Sequence, residues 1–348
     1  MPSTYAHYKF GQLVLRNLRE DIMMNIINNK PLYDIGLHGP DILFYYKPLY
    51  RNSVNQTGFG MHDQKANLFF ERAREVIRNS HTKTRSLAYV LGFICHFVLD
   101  SECHGYIEEK IQKSGISHTE IEVEFDRMLM VYNNHNPLKH RLTNHIIPKI
   151  QYAETIAPFF ENVSAAEVQK SLKSMIRYNN LLIAPGKMKR NMIYALLRAT
   201  GNYEDMHGLI VNFKSNKACT DSCNELEKRF AAAIDLAVCL IEQYSDNVRS
   251  TEPLNTRFNR TFGVDKSAEE NVEAAPGYVL NYADRFQKKS TGTDTGVAMA
   301  QTAAMQNAER KSVNGTGPVS QTGIAGTAIS ACTAFEYKEQ QFGGSWYE

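Results

Sequence analysis

Through most of the first 250 positions, apolar side chains recur every three or four residues, the spacing of an amphipathic helix. Residues 5–28 carry Phe10, Val14, Leu18 and Ile22 on one stripe, with Ser3 or Thr4 as N-cap and Asn28-Asn29-Lys30-Pro31 as the stop. Further helices are expected at 62–79, 83–112, 118–131, 143–160, 164–181, 186–199 and 220–248. The last has the strongest pattern, with Leu226, Phe230, Ile234, Ala237 and Leu240 at three- and four-residue steps. Strand-like alternation is scarce, and no repeat of about 20–50 residues is visible. Between the first helices, Gly36, Gly39, Pro40, Pro48, Gly58 and Gly60 interrupt residues 31–60. This segment reads as a long irregular connection, a kind of loop that often carries function. The expected architecture is an all-α multi-helix bundle with one long irregular loop after the first helix.

After Ser250 the pattern fades. Residues 1–250 are expected to form one domain, 251–285 a weakly structured extension with a short helix near 279–286, and 286–348 a low-complexity tail. The tail is rich in Gly, Thr, Ser and Ala and cannot bury much apolar surface, so disorder is expected. Its end, Phe342-Gly343-Gly344-Ser345-Trp346-Tyr347, holds the only tryptophan, and a docking segment is the alternative reading.

Composition narrows the picture. Of 348 residues, 43% are hydrophobic, enough for a substantial core, and 22% are charged, ordinary for a soluble protein. A net charge of +2 argues against holding nucleic acid or anionic lipid by bulk electrostatics. The N-terminal residues have no basic region followed by an apolar one, so a secretory signal is not expected and a cytoplasmic location is. The longest apolar run, residues 87–99, is too short to span a bilayer and reads as a buried core helix. The six cysteines form no CxxC pair and are expected to be reduced; Cys219 and Cys223 read as thiols rather than metal ligands.

The polar residues inside that apolar run carry the chemistry. His96 and Asp100, and again His118 and Glu122, place a histidine four residues ahead of a carboxylate, on one helix face. His104 lies two turns beyond His96, roughly 80° further round. His96, Asp100 and His104 share their helix with inward-facing Phe93, Leu99 and Ile107. Burying such groups is costly unless each finds a partner, and a divalent cation suits neutral imidazole and ionised carboxylate. Upstream, His7, His38, Asp41 and His62 are further candidates. Singly, each has a plain structural reading: a half-exposed histidine near a helix start, or a hydrogen-bonded core histidine.

Together these segments resemble the zinc-dependent phospholipase C family, which includes bacterial phospholipases C and the catalytic domain of clostridial alpha-toxin. The resemblance rests on Tyr5-Ala6-His7, Gly36-Leu37-His38-Gly39-Pro40-Asp41-Ile42, the stretch from Gly92 to Asp100, His104, and His118 with Glu122. It implies a cleft holding two or three zinc ions. Asp41, His62, His96 and Asp100 would hold the first, His104, His118 and Glu122 the second, and His7 with a shared Asp100 the third. In the family a processed N-terminus, usually tryptophan, completes the third site. Here removal of Met1 would leave Pro2, so that site is either absent or completed by His38. Asp100 and His104 are also closer together than in the secreted enzymes.

The implied activity is zinc-dependent hydrolysis of a phosphodiester by a zinc-activated water, with Asp41 orienting or deprotonating that water. A phospholipid is the first candidate substrate, with peripheral membrane contact and no transmembrane segment. Phe44, Tyr45, Tyr46, Tyr50 and Phe59 read either as a lipid or head-group pocket or as the core beneath a loop. Alternatives are a soluble phosphoester, a nucleic acid, or a non-catalytic zinc-stabilised binding module. His62-Asp63 also allows an HD-domain phosphohydrolase, a scheme that leaves His104, His118 and Glu122 without a role. The cluster Lys187-Met188-Lys189-Arg190 reads as a solvated helix face, and Cys95 and Cys103 as packing residues.

Overall fold

The computed structural model describes residues 4–263, and the expected helix at 279–286 and the low-complexity tail lie outside the described residues. Twelve α-helices and several 3-10 turns account for the described secondary structure, with no strand among the described residues. The all-α expectation holds.

The core is built on α6 (Lys83–Ser114), around which α1 (Thr4–Leu15), α3 (Lys30–Gly36), α5 (Ala66–Asn79) and α12 (Thr220–Asn247) pack. From Ala88 to Asp100 every residue of α6 is buried, so this helix is covered on all sides. By length and composition α6 could cross a membrane, but 83% of its apolar window is buried within the protein, as in a core helix. Phe69, Phe70, Phe93, Phe97, Phe258 and Phe262 form a continuous aromatic layer on one side of it.

Several elements differ from the sequence expectation, each for a physical reason. The first predicted helix is two, α1 and α2 (Glu20–Asn28), separated where Arg19 pairs with Asp246 of α12. Residues 31–60 are largely helical rather than irregular: α3, a 3-10 helix at Gly39–Tyr45, and α4 (Ser53–His62), capped by Asn52. Gly36 is a packing device and not a breaker. A Cβ at Gly36 would strike the Tyr89 carbonyl, and one at Gly92 the Tyr33 carbonyl, so α3 and α6 meet backbone to backbone. The predicted helix 143–160 begins only at α8 (Ile150–Ile156), past Pro148. α7 (His118–Tyr132), α9 (Ala165–Leu182) and α10 (Lys187–Ala199) fall where expected, and a short α11 (Tyr203–Met206) was not foreseen.

The packed unit continues past residue 250. Arg74 and Arg78 of α5 hold the carbonyls of Glu252, Val248 and Ser250. Phe258 and Phe262 are buried, and Thr261 pairs with Lys65 in an isolated bridge. Residues 251–263 thus form a strap across α5 and α6.

Gly92→Ala is expected to destabilise the protein by about 2 kcal/mol or more, because the added methyl meets backbone that cannot move aside. Thermal melts would show a drop in Tm of several degrees. An unchanged Tm would mean that the two helices do not depend on this contact.

Candidate metal centre

Five elements bring the ligands together. α6 supplies His96, Asp100 and His104 from successive turns of a buried face. The 3-10 helix Gly39–Tyr45 supplies Asp41, and the end of α4 supplies His62. The 3-10 helix reaches α6 because of Gly39, which has φ +48° and whose Cβ, if present, would fall on the His96 ring. Both its left-handed backbone and the lack of space require glycine. α1 supplies His7, and its first turn is pinned by Asp126 of α7, whose carboxylate accepts from Tyr5 N at 3.0 Å and Ala6 N at 2.7 Å. α7 also supplies His118 and Glu122, with Ser117 as its N-cap.

The candidate ligands form three groups: His7, His96 and Asp100; Asp41, His62 and His96; and His104, His118 and Glu122. Asp100 joins them. Its Oδ1 lies 3.1 Å from His7 Nε2, while Oδ2 lies 3.2 Å from His96 Nε2, 3.8 Å from His62 Nε2 and 3.9 Å from His104 Nδ1. Asp41 Oδ1 is 3.1 Å from His62 Nε2, and Glu122 Oε1 is 2.9 Å from His118 Nε2 and 3.6 Å from His104 Nε2. Two atoms each bound to one tetrahedral zinc at about 2.1 Å lie roughly 3.4 Å apart, so these spacings suit a shared ion. A cavity of ≈ 20 Å³ lined by His7, Asp100, His104 and Glu122 leaves room for about one water-sized occupant.

The hydrogen bonds around the groups show what they require. His62 Nδ1 lies 3.0 Å from the Gly58 carbonyl, and His104 Nδ1 lies 2.9 Å from the Phe262 carbonyl. A carbonyl can only accept, so each Nδ1 carries the hydrogen and each neutral ring turns its Nε2 lone pair toward a carboxylate. That arrangement is repulsive unless a proton or a cation sits between. Both oxygens of Asp41, both ring nitrogens of His96, Asp100 Oδ2 and Glu122 Oε2 are buried without a hydrogen-bond partner. Buried polar atoms rarely go unpaired, and here they converge on common points. The residues fit divalent ions of the zinc type, with two ring tautomers set by backbone carbonyls behind them.

Charge follows the same logic. Burial pushes the His104 imidazole down, but Asp100 and Glu122 outweigh it and hold it up at about 9. Burial likewise opposes charge on His62, and Asp41 with Asp100 raises it. Burial raises the Asp100 carboxyl, yet His104, His96 and His7 bring it well below the usual range. Glu122 is also held low: burial is outweighed by His118 and His104.

Other candidates lie elsewhere. His38 joins none of the three groups among the described residues: its Nε2 meets His145 Nε2 at 2.7 Å, and burial lowers its basicity. Residue 2 lies outside the described residues, so the proposed N-terminal completion of a third site does too. Asp63 is exposed at the C-cap of α4, and the HD arrangement does not assemble. Cys95 and Cys103 are buried, free thiols; burial raises Cys95 to about 12. Cys219 and Cys223 are also buried and outside the groups. Sequence reasoning missed His145 and the carbonyls of Gly58 and Phe262. His135, His140 and His145 recur at five-residue steps, a signal that could have marked them: His135 and His140 stack beside Tyr5, and His145 stacks on Tyr8.

Residues 6–174 match the family model described as zinc dependent phospholipase C. The match supports the resemblance of this part of the chain to the zinc-dependent phospholipase C family. The matched span contains all eight residues of the three groups. No curated protein and no solved structure matches the chain. The strap that sets the His104 tautomer, with α10 and α12, lies beyond the matched residues.

Two outcomes are expected. Glu122→Gln should lose about one zinc per chain by elemental analysis, with Asp63→Asn unaffected; the reverse would support the HD scheme. The second concerns pH. A histidine raised from an ordinary 6.5 to about 9 adds stability that is full below 6.5 and disappears as pH rises through 9. The chelated protein should therefore lose Tm across that window. Zinc-loaded protein should not, because the ion replaces the protons. A flat melting profile for the chelated protein would contradict this.

Proposed function

We infer that this chain hydrolyses a phosphodiester in the manner of a phospholipase C, and that a phospholipid is its substrate. The observation that carries the reading is the set of buried imidazole nitrogens and carboxylate oxygens facing one another around Asp100, which suits several cations close together. Bound zinc would supply an activated water and neutralise charge on the phosphoryl oxygens. The chain's own groups do the rest.

Asp41 is buried with both carboxylate oxygens unpartnered by hydrogen bonds, and only Oδ1 faces His62 closely. Its Oδ2 is therefore suited to accept a proton from an attacking water. Asp100 fixes the relative placement of the imidazoles on either side of it. Glu122 orients His118, whose side chain is 37% exposed, and so opens the third group to solvent. An accessible group of mixed histidine and carboxylate ligands suits catalysis better than a closed structural site.

Substrate contact would fall to the segment between Asp41 and His62. Phe44 stacks on Phe59 at 4.2 Å between centroids and lies 5.3 Å from the His62 ring. Phe44 and Tyr45 are buried, whereas Phe59, Tyr50 and Leu49 are exposed. The segment thus serves as core on one side and exposes an apolar rim on the other, of which Phe59 connects through Phe44 to His62. An apolar rim favours a lipid over a soluble phosphoester or a nucleic acid.

The test is turnover by zinc-loaded protein on a short-chain soluble phosphatidylcholine, on phosphatidylcholine vesicles and on a chromogenic phosphodiester. Diacylglycerol release is expected, with Asp41→Asn lowering kcat about 10²-fold or more. Turnover of the chromogenic ester alone would overturn the lipid assignment. Full zinc loading with no turnover of any ester would support a non-catalytic zinc-stabilised module instead.

A further inference from the structure

α10 has two apolar faces. The inner one is Ile193, which with Ala184 and Ile210 forms a small separate core backed by Leu182, Tyr194 and Leu197. The outer one is Met188, Met192 and Leu196, spaced four residues apart, which are 87%, 66% and 63% exposed. Ala195 and Ala199 are exposed too and fall within the same arc of roughly 100°. Single exposed apolar residues need no explanation, but an ordered row along one helix does.

The charges flank that row. α10 holds Lys187, Lys189, Arg190 and Arg198 and no acidic residue. Its basic cluster is not the solvated face expected from the sequence. Arg190 turns inward, donating to the carbonyls of Ala184 and Val211 beside the Phe213 ring. Lys189 reaches the Ile183 carbonyl along one edge of the apolar arc, while exposed Lys187 and Arg198 border the other edge. Apolar residues in the middle with cations at both borders is the arrangement of a helix lying in a membrane interface, its bases near anionic head groups.

The helix is also fixed to the metal-bearing part of the protein. Arg127 of α7 holds the Asn212 carbonyl, and Asn212 and Asn216 donate to Glu120 and Glu124. Gly208 lies against Thr119, beside His118. The segment after α10 is therefore clamped to the first three turns of the helix that supplies His118 and Glu122.

We propose that the Met188–Met192–Leu196 face of α10 docks this protein on an anionic lipid surface. The choice of lipid over another apolar partner rests on the phospholipid reading above, together with the cationic borders. The occupant is a bilayer carrying anionic head groups, not a second copy of the chain.

The test is flotation of the full chain with vesicles of phosphatidylcholine alone and with about one-third phosphatidylglycerol. The Met192→Asp/Leu196→Asp variant is the comparison, with Tm and chromogenic-ester turnover as checks on folding. Wild type should bind the anionic vesicles and bind phosphatidylcholine alone more weakly. The variant should lose tenfold or more of that binding while keeping its Tm and any turnover of the soluble ester. Equal vesicle binding by wild type and variant overturns the proposal, as does absence of binding by wild type. A wild-type dimer that the variant splits also overturns it, assigning the face to a second copy. Binding through this face without phosphodiester turnover would leave the docking inference standing and sink the catalytic reading; turnover without binding would do the reverse.

Discussion

A buried carboxylate with the ring nitrogens of three imidazoles converging on it is an electrostatic problem, and much of this protein is arranged around it. Asp100 sits on a helix covered on all sides, with His7, His96 and His62 turned toward its two oxygens and His104 close behind. Without a proton or cation between them, the groups repel one another in a medium that screens poorly. The fold holds them together regardless. Gly39 brings the Asp41 turn onto the His96 ring, Gly36 and Gly92 let α3 lie directly on α6, and Asp126 fixes the turn that carries His7.

This constraint links stability to chemistry. Groups that are strained when empty gain most when an ion enters, so metal binding and folding are coupled. The backbone carbonyls of Gly58 and Phe262 add direction: each claims one nitrogen of a ring and commits the other to the cleft. Phe262 does this from a strap that also completes the aromatic layer over α6. A segment distant in sequence thereby sets the tautomer of a ligand on the central helix, and its packing becomes part of the site.

Much of the centre was legible from spacing alone. His96 with Asp100, and His118 with Glu122, share a helix face by arithmetic, and the cost of placing such groups among Phe93, Leu99 and Ile107 already pointed to cations. What spacing could not show was contact between distant segments. Gly36 reads as a breaker in a one-dimensional pattern because the pattern does not contain Tyr89 on the facing helix. The Phe262 carbonyl has no sequence signal, since every residue carries one. The helix expected from residue 143 begins only at α8, past Pro148. On α10 the period was correct, but which apolar face turned inward depended on Ala184 and Ile210.

The central claim is that side chains from α1, the Asp41 turn, α4, α6 and α7 surround metal ions. Crystals of zinc-loaded protein, measured on both sides of the zinc absorption edge, test it directly. The account expects anomalous peaks between Asp41, His62 and His96 and between His104, His118 and Glu122, each about 2.0–2.2 Å from the ligand atoms. Peaks at other residues, or rings and carboxylates joined only through hydrogen bonds with no peak between them, would contradict it.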